Sequence, residues 1–311
     1  MAAKASAKSS KKDPVSIPAV SGGSAVRAKG SKRKLAVAAA RDVEPPPKQL
    51  TLEERWTSLQ ERLLRAEPEF QRAYQESLDM SWIYHDSALE GSVYTPLELR
   101  SAVDQPDPAA PTFPVGTDSS IQPICEEIRR HREALEYVRD FANQARKKRM
   151  PVTIDVVKKI YLILHPEEGD LKTVKYRKDI PQHRLYFHEY APPDKITYKV
   201  RQVLDWINDP ETRRTRSAVR IAARAHYDLL RVFPFTTDSG KVARLFMNLL
   251  LLKNGFPPAI VHSTERQRYY EALKGASAVM TQIVHESIEN NLASVEKLLE
   301  AHESKGYAVK V

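Results

Sequence analysis

The sequence predicts a mostly α-helical protein with one small β-hairpin. Three observations predict it. Apolar residues recur at three-, four- and seven-residue steps over most of the chain beyond residue 50, two S/T-x-x-E capping boxes mark helix starts, and a single short stretch is aromatic and alternating. Of the 311 residues 41% are hydrophobic, ample for a buried core.

Residues 1–48 are rich in Ala, Ser, Lys and Pro and contain no aromatic residue, so they cannot bury enough surface to offset the entropy of ordering. They are expected to be a disordered basic tail. Eleven Lys or Arg stand there against Asp13, Asp42 and Glu44, so the tail carries eight of the nine net positive charges. The remainder has almost no basic excess, and a phosphate-binding groove in it would require local clustering that composition does not reveal. The densest cluster, Lys29–Lys34 (KGSKRK), reads as a nuclear-import or polyanion-binding patch, or as a solvated run that aids solubility.

Residues 49–150 read as an N-terminal helical region. Thr51 and Glu54 have capping-box spacing, and Trp56, Leu59, Leu63, Phe70, Tyr74 and Leu78 share a helical face, with Pro68 marking a break or a kink. A second capping box, Thr95 to Glu98 with Pro96 at the first helical position, opens a short helix; Asp104–Asp118 is a Pro- and Asp-rich loop, and Ile121–Arg149 is a long helix. Residues 151–311 read as the core. Helices are expected at Ile154–Leu164, Ile196–Ile207, Thr215–Val232, Lys241–Lys253, Arg266–Ala276 and Thr281–His302, and a strand or hairpin at Arg184–Tyr190 (RLYFHEY). Leu245–Leu252 is apolar nearly all round, which puts its helix at the middle of the bundle, and Asn254-Gly255 with Pro257 and Pro258 ends it.

The single cysteine, Cys125, cannot form an internal disulfide and reads as a small packed side chain; no Cys/His spacing forms a zinc site. No apolar run approaches the roughly 20 residues that cross a bilayer, and no apolar segment follows the first residues as a Sec-type signal would. A cytoplasmic (intracellular) protein is expected, with nuclear import or export as an effector left open.

The stretch Ala225–Val261 sets a polar, glycine-containing turn between two apolar helical runs, a helix-loop-helix suited to holding a small anion. It is not a P-loop, since the first glycine is absent and Val242 takes the Ser/Thr position. The turn resembles the signature of the Fic family: His-Pro-Phe, an acidic residue, Gly-Asn-Gly-Arg, and a second Arg three residues on. Pro234, Phe235, Gly240 and Arg244 fall in register, while Phe233 stands at the histidine. Tyr176-Arg177, the hairpin and Pro192-Pro193 resemble the family's flap, RQRYYEAL (266–273) the stretch after the motif, and WIYHDSALEGSVYT (82–95) the inhibitory helix of some members, with Glu90-Gly91 its key pair. The resemblance covers about residues 50–300 and implies a Fic-type helical bundle with the hairpin as flap.

In that family, the resemblance implies, the histidine deprotonates a target hydroxyl that attacks the α-phosphate of ATP, with Mg²⁺ bound by the acidic residue. Phe233 has no lone pair to offer, and loss of a positioned base typically costs about 10² to 10⁴ in rate. His226, two helical turns upstream, reads as a packed histidine. Thr237 stands at the metal carboxylate, Asp238 at a glycine, Ser239 at the asparagine and Lys241 at the first arginine. Asp238 is read three ways: as repelling a triphosphate, as a displaced metal ligand, or, like Ser239, as a helix cap. Lys241 and Arg244, three apart on one face, can hold a phosphate, a sulfate or an acidic side chain together with Ser239 and Gly240; alternatively Arg244 is clamped by Glu90. On the hairpin, Tyr186, His188 and Tyr190 either register an extended target segment or fill the core.

The leading expectation is a pseudoenzyme on a Fic-type scaffold that binds a protein partner or senses a nucleotide. The alternative is an active nucleotidyl or phosphoryl transferase with a divergent site, and only this one requires ATP and Mg²⁺. A third class makes residues 1–48 a polyanion-binding tail.

Overall fold

Helix α1 (Leu52–Arg65) begins on the Thr51/Glu54 capping box as expected, with Thr51 Oγ1 accepting the Glu54 N–H at 3.2 Å. The break at Pro68 separates two helices, because Pro68 starts α2 (Pro68–Glu90), which runs on through the inhibitory-helix-like segment and ends where Gly91 adopts a left-handed φ of 101°. The computed structural model describes residues 50–103, 121–181 and 189–308. The basic tail, the Asp104–Asp118 loop and most of the expected hairpin, including Tyr186 and His188, lie outside the described residues. Among the described residues there is no strand.

Helix α3 (Pro96–Val103) follows the second capping box, where Glu98 accepts the Thr95 N–H at 2.6 Å. Helices α4 (Ile121–Lys148), α5 (Ile154–Leu164) and α6 (Ile196–Asn208) match their expected spans to within a residue. The expected helix Thr215–Val232 is α8 (Ala218–Val232), which starts three residues later, and a short unexpected helix, α7 (Pro210–Thr215), precedes it. Asp209 and Ser217 each cap a new N-terminus, so the chain breaks where a local side chain competes for the backbone amides.

Helix α9 (Ser239–Lys253) is the axis of the molecule, buried without interruption from Ser239 to Leu251 and packed on α8, α4, α5 and α2. Its interior Asn248 is satisfied by both backbone groups of Ala259, at 2.7 Å and 3.2 Å, which folds the chain back after the helix. Helices α10 (Arg266–Ala272) and α11 (Ser277–Ala308) close the bundle, with α11 against α8 and α1. One apolar core runs from Trp56 to Leu299, and Cys125 is packed within it.

Candidate functional site

The turn between α8 and α9 is held by its own residues. Phe233 is the C-cap of α8 in the left-handed region (φ 49°, ψ 67°), an unfavourable place for a bulky side chain. Its ring is buried and meets Tyr190, with centroids 4.9 Å apart. Two residues on, Phe235 lies flat on Tyr161 of α5, rings 3.9 Å apart and 4° from parallel. Asp238 is the second left-handed residue (φ 49°, ψ 18°) and occupies the position where the family pattern has glycine. Asp is one of the few residue types that tolerate this conformation, so the backbone shape survives the change of residue.

Arg177 secures this turn from the segment that follows α5. It is buried, and its acceptors are carbonyls: Nε donates to Phe233 at 2.6 Å, Nη1 to Asp179 at 2.8 Å, and Nη2 to Val232 at 3.1 Å and to Ala191. The Arg177 N–H adds a bond to the Pro234 carbonyl at 3.0 Å.

Neither cap expected of the turn forms in that way. Asp238 sits at the N-cap of α9 but makes no capping bond with its side chain. The Ser239 hydroxyl turns back, accepting the Phe235 N–H at 2.8 Å and donating to the Phe235 carbonyl at 2.9 Å. Asp238 instead reaches His165 at the end of α5, Oδ2 to Nε2 at 2.8 Å, and Lys241, Oδ1 to Nζ at 3.3 Å.

Both expected anion-binding cations are buried and engaged by carboxylates. Lys241 Nζ also meets Glu127 of α4 at 2.8 Å; burial pushes its pKa down, but Asp238 and Glu127 outweigh this and hold the ammonium above its ordinary value. Arg244 donates to Glu90 at 2.7 Å, to the Asp86 carboxylate, and to the Tyr269 hydroxyl at 3.3 Å. Burial also opposes ionisation of Asp86, yet the Arg244 charge and His131 hold its carboxyl below the usual range. His131 Nε2 lies 3.0 Å from Asp86 Oδ2, within ion-pair distance although outside hydrogen-bond geometry. Both motif cations are therefore engaged in place, Lys241 by Glu127 and Asp238 and Arg244 by Asp86 and Glu90. Gly240 is inside α9, two residues from Asp238.

Mg²⁺ does not fit these residues. Thr237 offers a neutral hydroxyl at the metal position, and Asp238, the only carboxylate of the turn, is already engaged by the Lys241 ammonium and the His165 ring. No group of three His, Cys, Asp or Glu suited to a metal occurs among the described residues. His226 is buried with Nε2 2.9 Å from the Tyr269 hydroxyl; burial, and then the charge of Arg244, push its pKa down to about 3, so it is a neutral packed ring.

Glu90 was legible in the sequence and its partner Arg244 with it. Asp86 carries a sequence signal as well, since it lies one turn before Glu90 on the same face of α2. His165, Glu127 and His131 carry no such signal; only packing of α4 and α5 against α9 brings them in, around a cleft of about 300 Å³ that Asp238 and Lys241 also line.

His165 makes the turn sensitive to pH. Burial lowers its pKa, but hydrogen bonds to Asp238 and to Glu167 (3.0 Å) prevail and raise it above 6.5. A raised folded-state pKa means stability that is complete below pH 6.5 and is lost as pH climbs through the folded value. The difference in melting temperature between the wild type and His165→Gln is therefore expected to shrink across that interval, as followed by thermal unfolding against pH. A constant difference would show that the imidazole stays neutral.

Comparison with known proteins agrees with this architecture. Residues 151–251 match the family model described as Fic/DOC family. "Protein adenylyltransferase Fic" of Nematostella vectensis is 29% identical over 199 residues, 63% of this chain and 42% of the relative. "Protein adenylyltransferase fic-1" of Caenorhabditis elegans is 36% identical over 96 residues, 30% of this chain and 19% of the relative. The chain thus spans less than half the length of these relatives. Among solved structures, a Fic domain containing signalling protein from Bacteroides thetaiotaomicron superposes with a TM-score of 0.64 at 18% identity, covering 82% of this chain and 98% of that one. A fragment of Fic-1 from Caenorhabditis elegans superposes with a TM-score of 0.59 at 21% identity, covering 82% and 72%. No described helix is long and apolar enough to cross a membrane. Residues 151–251 therefore match a Fic/DOC family domain, within a helical fold shared with solved Fic-domain structures.

Proposed function

We propose that this protein is a pseudoenzyme on the Fic scaffold, without AMP transfer, that acts by binding a protein partner. The observation carrying the reading is the fate of the two motif cations, Lys241 and Arg244, each buried and each paired with two carboxylates. Phe233 at the base position supports it, because a buried hydrocarbon ring can neither accept a proton nor be replaced by His226, a neutral ring inside the core. The partner segment is proposed to pair near Tyr190, whose ring packs on Phe233 of the turn.

A divergent transferase is the second reading, and it draws on His165, whose Nε2 lies 3.3 Å from Thr237 Oγ1 within the turn. With a carboxylate on each ring nitrogen, that imidazole favours the protonated form, which suits an anion-facing cation better than a base.

The test is a nucleotide titration with an adenylate-label assay on three proteins: wild type, Glu90→Gly, and a variant with the family loop restored (F233H, T237D, D238G, S239N, K241R). The wild type and Glu90→Gly are expected to take up neither nucleotide nor label, since Asp86 continues to hold Arg244 after Glu90 is gone. Nucleotide bound by the wild type without transfer assigns the site to sensing. Time-dependent label on a target from the wild type sinks the proposal.

A further inference from the structure

A second charged site lies at the opposite end of α9, about 21 Å along the helix from the turn at 1.5 Å per residue. There the C-terminal ends of α4, α6 and α9 surround a cleft of about 350 Å³. Five cations line it: Arg146 and Arg149 from the end of α4, Arg213 and Arg216 from α7 and its C-cap, and Lys253 from α9. No carboxylate is among the described residues lining the cleft, and none of the five forms an ion pair among the described residues. Residues 49–311 carry a net charge of only +1, so this is segregation of charge and not a general excess.

The ordinary account of such residues is that they satisfy carbonyls at helix C-termini, where cations also oppose the dipole. It covers Arg213, whose Nε donates to the Ile207 carbonyl at 3.0 Å and whose Nη2 donates to Asn208 Oδ1 at 2.6 Å. It does not cover the other four, whose side chains donate no hydrogen bond among the described residues. Arg216 lies over the Trp206 ring, 6.0 Å from its centroid, a contact that uses no hydrogen-bond donor of the guanidinium. Crowding of like charge is felt within the group: burial, and then the charge of Arg213, push the Lys253 pKa down. Cations held together at a repulsive cost, around a hollow, are arranged for a counter-charge that comes from outside the chain.

We propose that this cleft binds a compact, multiply phosphorylated small molecule. The five converging cations and the size of the hollow suit a ligand with closely spaced phosphates, such as a polyphosphate or an inositol polyphosphate. A nucleic-acid duplex needs a longer, open track of charge than three converging helix ends provide. The cleft is separate from the motif turn, so the proposal stands or falls independently of the pseudoenzyme reading.

The test is equilibrium dialysis of the full chain against pyrophosphate, tripolyphosphate and inositol hexakisphosphate at low salt, with sulfate at matched ionic strength as control. The full chain includes the basic tail, so the variants separate the two sites. One-to-one binding is expected, weakened roughly ten-fold or more by R149Q/K253Q and, separately, by R216Q, all rim residues outside the packed core. Substitution of the tail cluster (K32Q/R33Q/K34Q), or Glu90→Gly at the motif, is expected to leave it unchanged. Vesicles of phosphatidylcholine with and without phosphatidylinositol bisphosphate distinguish a lipid headgroup from a free phosphate as the source, through capture that the cleft variants abolish. Binding that follows the tail cluster and ignores the cleft variants overturns the proposal, as does binding no tighter than sulfate for every phosphate tried.

Discussion

Asp86→Ala is expected to destabilise the fold by about 3 kcal/mol, the lower end of the cost of removing one partner from a buried ion pair. The reason is what remains. Arg244 is almost wholly buried in the middle of the bundle, and Asp86 is the carboxylate that meets its Nε, while Glu90 reaches only Nη2 from the end of α2. Deleting Asp86 also strips His131, buried on α4, of its neighbouring charge. For a protein of this size the loss corresponds to a melting temperature lower by roughly 6–12 °C. Glu90→Gly, at the helix end, should cost clearly less. Because the Asp86 carboxyl is held low in the fold, its contribution is present above its ordinary pKa of about 3.9 and disappears as pH falls through the folded value. Thermal unfolding of the two single variants side by side decides the point: equal losses would mean that Asp86 is not the principal clamp on Arg244, and a larger loss in Glu90→Gly would give that role to Glu90.

Arg177→Ala should be of similar size and for a different reason. No carboxylate is lost; instead the carbonyls of Val232, Phe233, Asp179 and Ala191 lose a common donor. Each buried polar group left unpaired costs about 1–3 kcal/mol, and water can reach some of the four, so a total of about 3 kcal/mol is expected. The loss should be local as well as global. Phe233 is kept in a left-handed conformation partly through its carbonyl bond to Arg177, so amides of residues 231–238 should exchange faster with solvent even where the bundle stays folded. Arg177→Lys should rescue little, since an ammonium cannot span three directions as the guanidinium fork does. Hydrogen exchange that leaves the turn as protected as in the wild type would remove Arg177 from its role as the link between the segment that follows α5 and the motif.

What was legible in the sequence is local. The caps at Thr51 and Thr95, the break at Pro68, the all-round apolar character of α9 and the stop at Asn254-Gly255 each depend on neighbours within about one helical turn, and each reappears in the structure. The helix expected from Thr215 starts at Ala218 for a local reason too, because the Ser217 hydroxyl accepts the Arg220 N–H and caps the start there.

The motif turn shows where local reading ends. Sequence alone established that Phe233, Thr237, Asp238 and Ser239 no longer supply the groups of the family pattern, and it left open whether Arg244 holds an anion or is clamped by Glu90. Tertiary structure decided what the remaining charges do. Lys241 is neutralised by Glu127 from α4, Asp238 is drawn to His165 at the end of α5 instead of capping its own helix, and Arg244 is shared by two carboxylates of α2. The same holds for the cleft at the far end of α9, whose five cations come from three separated segments. Helix periodicity records which way a side chain faces over a few residues; the sign and distance of the charge it will face are set only when helices far apart in the chain are packed together.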